Sequence, residues 1–219
     1  MARVRFTVRS VNIGRPRQWS WAAIGHSSIE KHAVPGPVEV ARLGLAGDEV
    51  SDTRHHGGVD PAVYAFARED LDRWAVELDT ELHDGQFGEN LTTSGYDVNE
   101  AEVGEHWRVG SALLEVASVR TPCNDFKGWL GECGLDNAAW VKRFTADHRP
   151  GPYLRVLEEG EVSSGDLAEV VHRPGHGVTV TTMFRALTTD HALLPELLAV
   201  DGLVEAARAR AQRYVDEGR

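Results

Sequence analysis

The residue in this sequence best placed to do chemistry is Cys123, which stands in Arg120-Thr121-Pro122-Cys123 directly after the strand-like run Leu113 to Val119. Pro122 ends such a strand and fixes the turn that follows, so the thiol is presented at a strand end. Arg120 lies three residues before it and Lys127 four residues after it. Positive neighbours favour the thiolate, the form that attacks or binds metal. The ordinary alternative is a small buried hydrophobe, where most free cysteines go. Cys133 sits beside Glu132 with no such setting and reads as structural. Two thiols are too few for a disulfide framework, and they lack the close pairing of a zinc site.

Of the ten histidines only two stand in a dense cluster, His55-His56-Gly57-Gly58. Adjacent residues on an extended chain point to opposite sides and rarely share a metal. The two glycines let backbone approach a ligand closely. In Phe87-Gly88-Glu89-Asn90-Leu91, Asn90 either orders its loop or reads the amide edge of a heterocycle, since it offers both donor and acceptor. Gly44-Leu45-Ala46-Gly47 lacks the Lys-Ser/Thr of a phosphate loop and is no strand-to-helix junction, which argues against a nucleotide fold.

The elements that must position these residues are mostly strands. Val4, Phe6 and Val8 alternate with polar neighbours, the period of a half-buried strand. Val38 and Val40 alternate, then the phase slips to Leu43 and Leu45, as across a β-bulge. Leu71, Trp74, Ala75 and Leu78 mark one face of a helix over 68–78. Val103 to Val119 reads as a hairpin turning at Gly110-Ser111, a type II′ spelling. Residues 136–146 read as a helix with Trp140 and Phe144 paired at i, i+4. Leu154 to Val162 suggests another hairpin about Glu159-Gly160, and Leu167 to Val171 a further strand. Beyond about residue 174 come three short helices, the first capped by Thr179, the second with Pro195 in its first turn, the third closing at Gly218.

The length of 219 residues is enough to bury about 70% of the chain's surface on folding. With 42% hydrophobic and 26% charged residues it is an ordinary globular composition. The net charge of −11 opposes nucleic acid and anionic lipid at long range. No apolar run reaches a membrane span, and Met1-Ala-Arg-Val-Arg-Phe is not followed by the apolar core of a signal peptide. The expectation is a cytoplasmic protein with no nucleic-acid or membrane partner.

Five segments occur in order: Ser10-Val11-Asn12-Ile13-Gly14, Leu43-Gly44-Leu45-Ala46-Gly47-Asp48, His55-His56-Gly57-Gly58, Phe87-Gly88-Glu89-Asn90-Leu91-Thr92 and Pro122-Cys123. Together they resemble the MOSC-domain family, the C-terminal-like domains of molybdenum cofactor sulfurases, in its YiiM-like branch. The likeness runs over roughly residues 8–172, and His176-Gly177-Val178-Thr179-Val180 with Leu197-Leu198-Ala199-Val200 resemble that branch's three-helix extension. The resemblance implies a mostly-β protein, with a MOSC-type β-barrel over 1–174 and a three-helix unit over 175–219. It implies a molybdenum–pterin cofactor whose metal is ligated by Cys123, with pyridoxal phosphate binding as a second association of the family. The branch reduces N-hydroxylated bases such as 6-hydroxylaminopurine with electrons from a separate flavoprotein. Where the branch continues from the cysteine with Tyr-Lys, this chain has Asn124-Asp125-Phe126, and Lys127 comes two places late. An acid so close to a thiolate disfavours it, which bears on substrate choice.

A pterin phosphate needs local cations in an acidic protein, and Lys31, Arg54, Arg120, Lys127 and Arg155 are the candidates. The expected site is one locally basic pocket holding Cys123, Arg120, Asn90, Lys31 and at least one of His55 and His56. Two other readings stand beside the reductase: a sulfur or cofactor carrier with a persulfide on Cys123, and a barrel module that docks a partner through its helical tail.

Overall fold

The computed structural model describes residues 4–53 and 57–218, so Arg54, His55 and His56 lie outside the described residues. The first stretch runs β1 (Arg5–Ile13), β2 (Arg17–Gln18), β3 (His26–Ser27), β4 (His32–Ala33), β5 (Val38–Ala41) and β6 (Gly44–Leu45). The middle of the chain gives β7 (Val63–Ala67), α1 (Arg68–Glu77), β8 (Leu91–Ser94), β9 (His106–Val109) and β10 (Ala112–Val119). Then follow α2 (Asn124–Glu132), α3 (Trp140–Asp147), β11 (Pro152–Glu158), β12 (Gly160–Val162) and β13 (Leu167–His172). Last come α4 (Val180–Thr188), a 3-10 helix (His191–Ala199) and α5 (Glu205–Asp216).

Seven strands close into a barrel in the order β13-β9-β10-β11-β7-β8-β1, with β1 returning to β13. Closure removes the exposed edges that an open sheet would leave. Neighbours are antiparallel except β7 and β8, which run parallel because α1 crosses between them. β7 is buried at all five positions, as a strand covered on both faces requires. The β9–β10 turn is the one its spelling demands: Gly110 adopts φ +54°, which the first central position of a type II′ turn needs.

Three sequence expectations are corrected. The phase slip after Val40 is a tight hairpin rather than a bulge: Val40 pairs with Leu45 and Ala41 with Gly44, leaving Leu43 exposed at the turn. Leu154 to Val162 is not one hairpin either. β11 pairs with β10 and β7, while β12 turns away to β5, so two strands adjacent in sequence serve different sheets. The helix expected over 136–146 begins at Trp140, after Ala139 takes a left-handed conformation at φ 49°. An unexpected helix, α2, starts directly at Asn124 with Cys123 as its cap.

The α1, α2 and α3 helices meet in an aromatic cluster. Trp74, Phe87, Phe126, Trp140 and Phe144 are all at most 1% exposed, with Trp74 and Trp140 centroids 4.6 Å apart and Phe87 and Phe126 5.1 Å apart. This cluster fixes the roll of α2. At the C-terminal end Thr179 caps α4 through an N–H bond from Thr182, as expected. The second helix is 3-10 with Pro195 inside it rather than in a first turn, since proline cannot donate to an α-helical ladder. Val180, Met183, Phe184, Leu194, Leu197 and Ala211 join the same apolar core as the barrel. Among the described residues no helix is long and apolar enough to cross a membrane.

Phe144→Ala removes a ring shared by four neighbours in that cluster and should cost about 3–5 kcal/mol. Urea unfolding checks this as a lowered midpoint with an unchanged slope.

Candidate functional site

β10 ends at Val119, and its pairing with β11 sets Ser118 opposite Tyr153 and Val119 opposite Pro152. Tyr153 in turn pairs with Tyr64 across to β7. The chain leaves β10 through Arg120 and reaches Cys123 in extended conformation, φ −135° and ψ 173°. Cys123 Sγ accepts a hydrogen bond from the Phe126 N–H at 3.5 Å, the bond of a helix N-cap. The thiol is half-buried and lines an open cleft with about 740 Å³ of empty space.

Arg120 forms the floor beside it. The residue is 7% exposed; its guanidinium donates from Nη1 to the Phe87 carbonyl at 2.7 Å and lies over the rings of Tyr64 at 4.9 Å and Phe126 at 4.3 Å. Burial works against its charge, but Tyr153, Tyr64, Cys123 and Glu89 around it raise its hold on the proton overall. Burial pushes both phenols up, with Arg120 pulling each back. The Tyr64 hydroxyl donates to the Pro150 carbonyl at 2.7 Å.

The opposite wall is organised by Asp48. Its Oδ1 accepts from the Gly14 N–H at 2.7 Å and from Lys31 Nζ, and its Oδ2 accepts from Asn90 Nδ2 at 2.9 Å. Burial lowers the Lys31 pKa, against the opposing pull of Asp48. Asn90 is fully committed: its other N–H goes to the Asn12 carbonyl at 3.3 Å and its oxygen accepts from the Tyr64 N–H at 3.0 Å. Behind it Glu89 orders the loop, accepting from the Gly85 N–H at 2.6 Å, the Phe87 N–H at 3.0 Å and the Thr92 hydroxyl at 2.9 Å.

Four of the expected residues therefore meet at one cleft: Cys123, Arg120, Asn90 and Lys31. Asn90 braces that cleft instead of offering a free amide edge. Two do not belong to it. Lys127 lies on the exposed face of α2. Arg155 is spent elsewhere, donating to Asp60 at 2.8 Å and Glu115 at 2.7 Å. The expected basic character is corrected as well: the described lining carries Lys31 and Arg120 against Asp48, Glu49, Asp52 and Asp125. Asp48, Tyr64, Tyr153, His26 and the Ser28–Ser51 hydroxyl pair, 2.6 Å apart, were not foreseen. Asp48 alone had a signal, as the last residue of the Leu43–Asp48 segment; the others are joined only by the strand register.

A family model for the MOSC domain matches residues 52–169. The chain is 37% identical over 150 residues to Protein YiiM of Escherichia coli (strain K12), covering 67% of this chain and 65% of that protein. It is 30% identical over 171 residues to a protein named Reductase from Gibberella moniliformis (strain M3125 / FGSC 7600), covering 75% of this chain but 29% of that one. The crystal structure of YiiM from Geobacillus stearothermophilus superposes with a TM-score of 0.77 at 22% identity, over 95% of this chain and 98% of that one. The chain belongs to the MOSC-domain family. Within it, the barrel and the helices after it are of the YiiM-like kind.

Glu89 provides a pH test of the loop behind the cleft. Burial pushes its pKa from 4.5 up to about 7, against the hydrogen bonds it accepts. The folded state thus holds this proton more tightly than the unfolded state, so the stabilisation is complete below pH 4.5 and is lost as pH rises through 7. Urea midpoints across that window should fall more steeply for the parent than for Glu89→Gln.

Proposed function

We propose that this protein binds a molybdenum–pterin cofactor in the cleft and reduces N-hydroxylated bases such as 6-hydroxylaminopurine to the amines. The observation that carries the reading is the Cys123 thiol, half-buried in the wall of an open cleft beside a buried guanidinium. A soft sulfur on a constrained turn suits a molybdenum centre. Among the described residues no three His, Cys, Asp or Glu side chains could hold a metal ion by themselves. A single protein thiolate that completes a cofactor's own donor set fits that arrangement. The family match and the relative named Reductase support the same class of chemistry.

Cys123 would ligate the metal, Arg120 and the hydroxyls of Ser27, Ser28 and Ser51 would meet the cofactor's anionic end, and the Tyr64 and Tyr153 rings offer flat walls. When bound, the cofactor supplies two-electron redox chemistry; the protein supplies binding, orientation and exclusion of water. The overall reaction takes R–NH–OH with two electrons and two protons to R–NH₂ and water. A separate flavoprotein supplies the electrons. Tyr153 lines the cleft with its phenol protonated at neutral pH, and burial raises its hold on that proton further. Arg120 holds positive charge facing both that phenol and the thiol.

The test is elemental analysis and assay of protein from a cofactor-competent host. Stoichiometric molybdenum and reduction of 6-hydroxylaminopurine are expected in the parent. Cys123→Ser, a swap that costs little volume, should lose both while keeping its circular dichroism. Sulfane sulfur on Cys123 without molybdenum would instead identify a persulfide carrier. Unchanged behaviour of Cys123→Ser in every assay would leave a partner-docking barrel.

A further inference from the structure

We infer that Asp125 is a positioning residue: its carboxylate latches the hairpin of residues 17–27 across the helix that presents Cys123, and the latch sets access to the thiol. The inference concerns the chain's own contacts and holds whatever group the cleft carries. β2 and β3 pair Arg17 with Ser27 and Gln18 with His26, and the loop between them carries Trp19 and Trp21, stacked with centroids 5.5 Å apart. Helix α2 receives this loop on one stripe, Asp125, Gly128, Trp129 and Glu132, spaced i, i+3, i+4, i+7. The Ala23 N–H donates to Asp125 Oδ1 at 3.0 Å. Trp21 lies flat on Gly128, where a Cβ would stand 2.7–2.9 Å from the ring, so no larger residue admits the indole. Trp21 Nε1 donates to Glu132 Oε2 at 3.3 Å, and Trp19 meets Trp129 at 6.0 Å.

Beyond its last strand the hairpin continues as Ser28 and Ile29, which wall the cleft together with Asp125 itself. Cys123 caps the same helix. Releasing Ala23 from Asp125 therefore frees the cleft rim from the helix that carries the thiol. The latch also gives physical roles to the segment after the cysteine: Phe126 enters the core, Asn124 faces solvent, and Asp125 holds the hairpin.

The experiment reads the labelling rate of Cys123 by a bulky aromatic disulfide reagent, in full-length protein carrying Cys133→Ser so that only one thiol reports. Asp125→Ala should label about tenfold faster, the effect of losing one such hydrogen bond. Gly128→Ala, which displaces Trp21 without changing charge, should also label faster. Asp125→Asn keeps the accepting oxygen and should label well below the rate of Asp125→Ala. The charge of Asp125 could itself slow a neighbouring thiolate, and the asparagine variant separates the two effects. If Asp125→Asn matches Asp125→Ala, or if Asp125→Ala and Gly128→Ala both label at the parental rate, the latch is overturned. Loss of molybdenum binding or of reductase activity would not bear on this result.

Discussion

A guanidinium buried with no carboxylate against it among the described residues is the constraint on which the site depends. Arg120 has left water, and an isolated buried charge is costly unless its surroundings answer it. Here the answer is a carbonyl at 2.7 Å and two ring faces, those of Tyr64 and Phe126. Those three partners come from the loop before β8, from β7 and from α2. Each is held elsewhere too: Phe87 and Phe126 sit in the aromatic cluster, and Tyr64 is bonded to Pro150. Cys123 lies between Arg120 and Phe126 in sequence. Its position is thus fixed on both sides, and α2 cannot roll without uncovering the cation.

This arrangement also explains how an acidic cleft can present positive charge. Lys31 is neutralised where it stands by Asp48, and both are buried in a knot with Asn90 and Gly14. The field felt by the thiol and the two phenols then comes from Arg120, which acts through the partly dry interior rather than through water. A net count of charges along the lining misses this, because it gives equal weight to a lysine paired with a carboxylate and an arginine held by a carbonyl and ring faces.

The same distinction marks what the sequence could reveal. Strands with strict alternation, the Gly110-Ser111 turn, the α1 stripe and the Thr179 cap were legible because each is decided within a few residues. The presentation of Cys123 beyond a strand end was legible for the same reason: Arg120, Pro122 and Cys123 stand within four residues. The hairpin read into Leu154 to Val162 failed because pairing partners are a matter of register across the barrel, and β12 finds β5 more than 100 residues away. Helix α2 was hidden because Asn124-Asp125-Phe126 is read as a departure from a motif until the cap shows it to be a first turn. Arg155 and Lys127 were chosen for charge alone. Neither residue type carries any mark of whether a carboxylate or solvent will claim it.

Why residues as far apart as Lys31 and Tyr153 share one wall follows from strand direction. The end of β10 pairs with the start of β11, and Tyr153 there pairs with Tyr64 near the start of β7. Because β7 and β8 are parallel, Ala65 lies beside Leu91, and the loop carrying Glu89 and Asn90 arrives at this same end. β1 runs antiparallel to β8, so its far end, with Asn12 and the Gly14 contact to Asp48, arrives there as well. A simple up-and-down connection from β7 to β8 would send the Asn90 loop to the opposite mouth of the barrel. Tyr64 would then lose the bond that fixes its backbone, and Arg120 the carbonyl that receives it. The α1 crossover, the least chemical part of the sequence, is therefore what assembles the site.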